Sequence, residues 1–165
     1  MYKTVVKIAV AAMLATMVIG CGGNQEQQNQ ASAASLMSIN RGVDSAYVQL
    51  KQSYETFQAA EMDNALEGLN KYLASVSQTL GSMSVPNDCQ PLQKAIADKV
   101  ETLRSIAANE SKEQVRIYKI PDTDFTDELR AEWDNISARV DKKVSDANSK
   151  VTDISNKIKK NQQTK

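Results

Sequence analysis

The sequence predicts an all-α fold: an elongated antiparallel bundle of three to four helices with a long C-terminal helix. Three observations predict it. Beyond position 35 the apolar residues recur at three- and four-residue steps, the spacing that lines one face of a helix. No stretch of useful length alternates apolar and polar residues with the period of two that a half-buried strand shows. The 165 residues include only three prolines and six glycines, too few for a fold built of many turns.

The first stripe runs through Leu36, Ile39, Val43, Ala46, Leu50 and Phe57, with Ser53 filling one place and Tyr47 and Tyr54 widening it. Its phase breaks between Phe57 and Met62, which predicts a tight turn over residues 61–63 with Asp63 capping the next helix. The second stripe is Leu66, Leu69, Leu73, Val76, Leu80 and Met83, completing a helical hairpin. Val85-Pro86-Asn87-Asp88 reads as a loop in which Asn87 or Asp88 caps a third helix, and the first turn of that helix tolerates Pro91. Its stripe of Leu92, Ile96, Val100, Leu103 and Ala107 thins between Asn109 and Glu113 before Val115 and Ile117.

After a break at residues 120–124, one face of the last helix carries Phe125, Leu129, Trp133, Ile136, Val140, Val144, Ala147, Val151, Ile154 and Ile158. Steps averaging about 3.7 residues predict a nearly straight helix. At the standard rise it would reach about 50 Å, longer than its partners. Its end beyond Ala147 is therefore expected to project, or to pair with another chain.

The N-terminus has a different character. Lys3 and Lys7 precede an uncharged run from Ile8 to Ile19, the order of charge and apolarity found in an export signal. As a helix the run would span roughly 18 Å, short of the roughly 30 Å hydrocarbon core, so a permanent spanning helix is not expected. Small residues and a cysteine follow at Gly20 and Cys21. Val18-Ile19-Gly20-Cys21 resembles the lipobox of bacterial lipoproteins, and the resemblance covers about the first 23 residues.

The resemblance implies cleavage between Gly20 and Cys21, a diacylglycerol on the Cys21 thiol, and acylation of the new amino terminus. Two or more acyl chains, at about 0.8 kcal/mol per buried methylene, make a stable membrane anchor. Gly22, standing where enterobacterial lipoproteins carry Asp to stay in the inner membrane, implies the outer membrane if the host is Gram-negative. Residues 1–20 are thus read as signal peptide, 21–34 as the lipidated cysteine with a flexible polar tether, and 35–165 as the helical bundle domain. The tether assignment rests on residues 22–34, Gly-Gly-Asn-Gln-Glu-Gln-Gln-Asn-Gln-Ala-Ser-Ala-Ala, which offer no large apolar side chain to bury.

Removal of residues 1–20 takes Lys3 and Lys7 with it and leaves 18 basic residues against 20 acidic ones. No bulk charge points to nucleic acid. The chain has no histidine, the commonest general base and metal ligand. It also shows no phosphate loop, nucleophile elbow or metal-ligand spacing. No catalytic residue, metal site or cofactor is assigned, and an enzyme is not expected. Asp122, Asp124, Asp127 and Glu128 superficially resemble a calcium loop but lack its glycine and its spaced final glutamate. Capping of the last helix accounts for them better.

With Cys21 as a thioether, Cys89 has no partner within the chain. It is read as a small apolar residue packed at a helix end, the alternative being pairing between chains. Most aromatics lie on or beside the stripes and are expected in the core, whereas Tyr72 and Tyr118 are better placed for a ligand groove. Residues 142–165 hold seven lysines against two aspartates, and residues 22–141 hold 11 basic against 18 acidic side chains. Val151, Ile154 and Ile158, with Lys157, Lys159 and Lys160 around them, are therefore assigned as a partner contact, for self-association or for another envelope protein. Val140 to Ile158 is similar in texture to the major outer-membrane lipoprotein of enteric bacteria, whose last lysine joins peptidoglycan. Lys165 occupies the corresponding place here, without that family's tyrosine-arginine-lysine ending.

The functional expectation is a membrane-anchored, non-enzymatic helical domain of the cell envelope that binds a protein or envelope component. The alternatives are a structural spacer linking membrane to cell wall through Lys165, and a small-ligand-binding helical domain.

Overall fold

The computed structural model describes residues 25–56 and 58–163. Among them the chain forms an all-α bundle with no strand: α1 (Gln25–Glu55), α2 (Ala59–Ser82), α3 (Gln90–Ala108), α4 (Glu110–Tyr118) and α5 (Asp127–Gln163), with single 3₁₀ turns at Asn87–Cys89 and Asp122–Asp124. Pairs of residues that meet across helices fix the directions. Asn29 meets Asp88 and Asn40 meets Lys99, so α3 runs parallel to α1. Gln93 donates to the carbonyls of Leu80 and Met83, so α2 runs the other way. Lys150 meets Asp98 and Gln114 meets Ser137, so α5 descends along α3 and α4. The α4 helix continues the column of α3 past a backbone break at Asn109 (φ −117°, ψ −80°). The result is a four-column bundle whose long final helix matches the expected fold.

The core joins every column. Leu36, Val43 and Leu50 of α1 and Leu73 of α2 are wholly buried, as are Leu92, Ile96 and Val100 of α3; Ile136, Val140 and Val151 of α5 are nearly so. Leu69 and Leu103, both from the predicted stripes, belong to the same cluster. At Gly42 the α1 backbone comes close to α2. A Cβ there would lie 2.2 Å from the Tyr72 hydroxyl oxygen, so only glycine fits the ring as it stands.

Four details differ from the sequence expectations. The α1 helix begins at Gln25, so residues 25–34 are helix rather than flexible tether. Asn29 donates to Asp88 at 2.9 Å, the Cys89 thiol donates to the Asn29 carbonyl at 3.3 Å, and Ser32 is buried. Polar and small side chains thus dock this first stretch where a search for large apolar residues finds nothing.

The α1–α2 turn lies near Thr56–Gln58 and not at residues 61–63. The Thr56 hydroxyl donates to the Ser53 carbonyl, and Gln58 is extended with its carbonyl starting α2. Met62 is consequently core, and Asp63 lies inside α2 rather than capping it. Cys89, not Asn87 or Asp88, occupies the N-cap position of α3, since Asn87 and Asp88 lie in the 3₁₀ turn that leads into the helix.

The largest difference concerns the end of α5. Val151 and Ile158 are 1% and 8% exposed, and both belong to the core cluster, with Ile154 packed against it. The expected uncovered stripe does not exist, because α5 descends along α3, whose first turns lie beside this end, and α1 faces it across a small cleft. Ala33 and Met37 line a cleft with Ser155 and Ile158.

Candidate functional site

Where α1, α4 and α5 meet at the far end of the bundle, three aromatic side chains converge. Tyr54 comes from the last turn of α1, Tyr118 from the end of α4, and Trp133 from the second turn of α5. The Tyr54 and Tyr118 rings stack at 6.1 Å, while Trp133 stands nearly perpendicular to Tyr54 at 5.5 Å and to Tyr118 at 4.7 Å. These are the offset and edge-to-face geometries that aromatic quadrupoles favour.

Polar groups set the cluster in place. The Tyr54 hydroxyl donates to Gln114 Oε1 at 3.4 Å, and Gln114 Nε2 donates to the Ser137 hydroxyl at 3.0 Å. Burial pushes the Tyr54 phenol above its ordinary value, a hydrogen bond with Ser111 partly offsets this, and Tyr118 adds to the rise. Burial raises Tyr118 as well.

The loop between α4 and α5 frames an opening beside these rings. Lys119 closes α4 and anchors the loop to α2, its Nζ reaching the two Asp63 oxygens at 2.9 and 2.7 Å. Pro121 begins the 3₁₀ turn, and the Asp124 amide donates back to its carbonyl at 2.9 Å. Thr126 then caps α5, its hydroxyl accepting the Leu129 amide at 3.3 Å, while hydrogen bonds from Thr126 and from its own backbone hold Glu128 below the usual carboxylate range. These bonds leave Phe125 outside the helix and 36% exposed, not on the core stripe where the sequence put it.

The opening is a cleft of about 760 Å³ lined by Ile117, Tyr118, Ile120, Phe125 and Trp133, with Asp122, Asp134 and Arg130 as its charged groups. The Arg130 guanidinium sits 6.0 Å from the centre of the Phe125 ring.

Of the two residues singled out as groove candidates, Tyr118 lines this cleft, whereas Tyr72 packs over Gly42. Asp122 lines it too, Asp124 and the Asp127–Glu128 pair stand around the start of α5, and no group among the described residues could hold a metal ion. Val151, Ile154 and Ile158 are core, and Lys157, Lys159 and Lys160 lie exposed at the opposite end of the bundle. Gly20, Cys21 and Lys165 lie outside the described residues. Cys89 is a free, fully buried thiol, raised by burial and further by Asp88; interchain pairing would require the bundle to open.

Sequence reasoning missed Arg130 and Asp134 as cleft residues, and missed a buried polar centre altogether. The Lys99 side chain is 1% exposed and donates to Asn40 Oδ1 at 2.8 Å and to Asp44 Oδ1 at 2.5 Å. The available signal was a polar residue at a core place, Asn40 between Ile39 and Val43, matched by a lysine among Ile96, Val100 and Leu103.

Two shallower clefts lie between α1 and α5, one of about 460 Å³ lined by Tyr47, Ser145 and Thr152 among others, the other about 310 Å³ beside Met37 and Ile158. Among the described residues no helix is long and apolar enough to cross a membrane. No family model matches the chain, and no curated protein or solved structure is significantly similar to it.

Proposed function

We propose that this chain is a bacterial lipoprotein held in the cell envelope by lipid on Cys21, in the outer membrane if the host is Gram-negative. Its helical domain is non-enzymatic and binds a protein or other envelope component at the cleft formed by Tyr118, Phe125 and Trp133. The cleft carries this reading. Of the six aromatic residues among the described ones, Tyr54, Tyr118, Phe125 and Trp133 gather at this end, and Phe125 stays partly in water. Aromatic side chains in an open cleft are the usual anchors of recognition.

Placement supports the same reading. From Gln25 to Tyr54 the rise of α1 is about 44 Å, so a lipid just before α1 would leave the cleft at the far end of the molecule. The groups around the cleft are carboxylates, a guanidinium and aromatic rings, chemistry suited to binding.

The test has two arms. Cys21→Ser should accumulate as precursor or leave the membrane fraction; processing and partitioning like the wild type would overturn the anchor. A photo-crosslinking residue at position 125 should give a discrete product in intact cells. The same residue at exposed Val48, on the side of α1, should not. Equal products at both positions, or none at 125, would overturn the cleft as the binding site.

A further inference from the structure

We infer that the occupant of the cleft is a basic peptide segment, bound through the ammonium or guanidinium groups of its side chains; the inference rests on the cleft being the binding site. Two carboxylates, Asp122 and Asp134, line the aromatic cleft. Among the described residues neither is ion-paired, although one cation, Arg130, lines the cleft with them. Lys119 is held by Asp63, and Arg130 lies against the Phe125 ring.

Trp133 and Tyr118 line the cleft beside Phe125, and aromatic rings of this kind attract a cation within about 6 Å of the centroid. The placement of Arg130 over Phe125 shows this pairing already made once within the cleft.

The charge around the opening extends the argument from one cation to several. Between residues 119 and 134 the chain carries Asp122, Asp124, Asp127, Glu128, Glu132 and Asp134 against Lys119 and Arg130 alone. All six acidic residues are exposed; Glu132 pairs with Arg116 at 3.7 Å and, with Glu128, lines a neighbouring cleft beside Arg139, while among the described residues the other five have no ion-pair partner. Those on α5 run from Asp127 to Asp134, about 10 Å along the helix at the standard rise, and so reach beyond a single side chain. A field of one sign beside an apolar cleft attracts a ligand of the opposite charge and weakens with salt. A small amine would engage the cleft and leave the carboxylates of the first α5 turns unused. A segment with several lysines or arginines would engage both.

Trp133 is the sole tryptophan of the chain, so its emission reports the cleft directly. The full chain in detergent micelles would be titrated with a six-residue oligolysine peptide, with oligoglutamate of the same length, and with butylammonium. Oligolysine should change the emission saturably, and the double variant Asp122→Asn, Asp134→Asn should weaken its binding at least tenfold. Phe125→Ala should weaken it several-fold, and Glu67→Gln, on the side of α2, should leave it unchanged.

The inference is overturned if oligoglutamate binds as well, if butylammonium matches oligolysine at equal amine concentration, or if the cleft variants have no effect. It is also overturned if the chain alone dimerises in sedimentation and the Asp122, Asp134 variant abolishes the dimer, since the lysine-rich end of a second copy would then be the occupant. Loss of oligolysine binding with crosslinking at position 125 retained would remove the charge assignment and leave the binding site standing; loss of both would remove the site.

Discussion

At the end of the bundle where α1 begins, small and polar side chains join the helices, Asn29 on Asp88 and the Cys89 thiol on the Asn29 carbonyl, with Ser155 buried near Ile158, and the cleft between α1 and α5 is only about 310 Å³. At the end where α1 stops, the large rings of Tyr54, Tyr118 and Trp133 gather, yet a cleft stays open beside them and Phe125 remains half in water. The end poor in large apolar residues is the tighter one, its cleft less than half the volume of the one at the other end. Complementary small groups draw the helices together at the first end, whereas the cluster of rings at the second leaves the larger cleft beside it.

The largest effect expected from this comparison is at the tighter end. Truncation after Ala147 removes Val151, Ile154 and Ile158, which belong to or pack against the core. Side chains of this size contribute about 1.5–3 kcal/mol each when buried. Losing all three removes a large part of the roughly 5–15 kcal/mol that holds a domain together. The truncated chain should lose its cooperative thermal transition by circular dichroism. A chain that still melts cooperatively near the parent temperature would show that this end is an appendage.

The next effect is at the centre, between the two ends. Asp44→Ala leaves the Lys99 ammonium, 1% exposed, with Asn40 as its remaining recorded acceptor. Removing one partner of a buried pair costs about 3–5 kcal/mol, and the 43% exposure of the Asp44 side chain places this case at or below the lower figure. Chemical denaturation would measure it. A loss under about 0.5 kcal/mol would mean that water replaces the carboxylate without penalty.

How much of this was legible in the sequence depended on residue size. Leu69, Leu103 and Val140 announced themselves by helical spacing and are buried as that spacing required, while Ile39, Leu66 and Val144 of the same stripes are partly buried against them. Residues 25–34 did not, because Asn29, Ser32 and Ala33 are unremarkable until the partner surface is known. The supposed tether and the supposed bare end of α5 lie at the same end of the bundle: α3 packs along the stripe read as uncovered, and the segment read as too polar to fold faces it across a small cleft. In the candidate site, Tyr118 and the acids around α5 could be named from sequence. The exposure of Phe125 could not, since its spacing continues the α5 stripe and only the Thr126 cap sets it outside the helix.

A smaller effect separates the α1–α5 seam from both ends. Burial raises the Tyr47 phenol above its usual value, with Tyr54 and Asp141 adding to the rise. The unfolded chain releases that proton near pH 10, whereas the folded chain retains it. Stability from this group is therefore complete below pH 10 and declines as the pH rises further, by up to about 1.4 kcal/mol per unit. Tyr47→Phe should flatten the alkaline limb of a stability–pH curve and leave its neutral part almost unchanged. An unchanged limb would mean that Tyr47 ionises in the folded bundle.

The smallest effect on stability is expected at the rim of the open end, and there its smallness is the informative result. Phe125 precedes α5, is 36% exposed, and touches the bundle through the cleft wall and the Arg130 contact. Truncation to alanine leaves the Thr126 cap and the Lys119–Asp63 anchor in place, because both lie outside the ring. Surface changes of this kind usually stay within about 0.5 kcal/mol. Ile158→Ala, at the tighter end and 8% exposed, removes buried methyl groups and should cost about 2 kcal/mol or more. Measured side by side by denaturant titration, the two variants should differ several-fold, the larger ring giving the smaller loss. Equal losses would show that Phe125 is as much a part of the core as Ile158, and the contrast between a tighter end and a more open one would disappear.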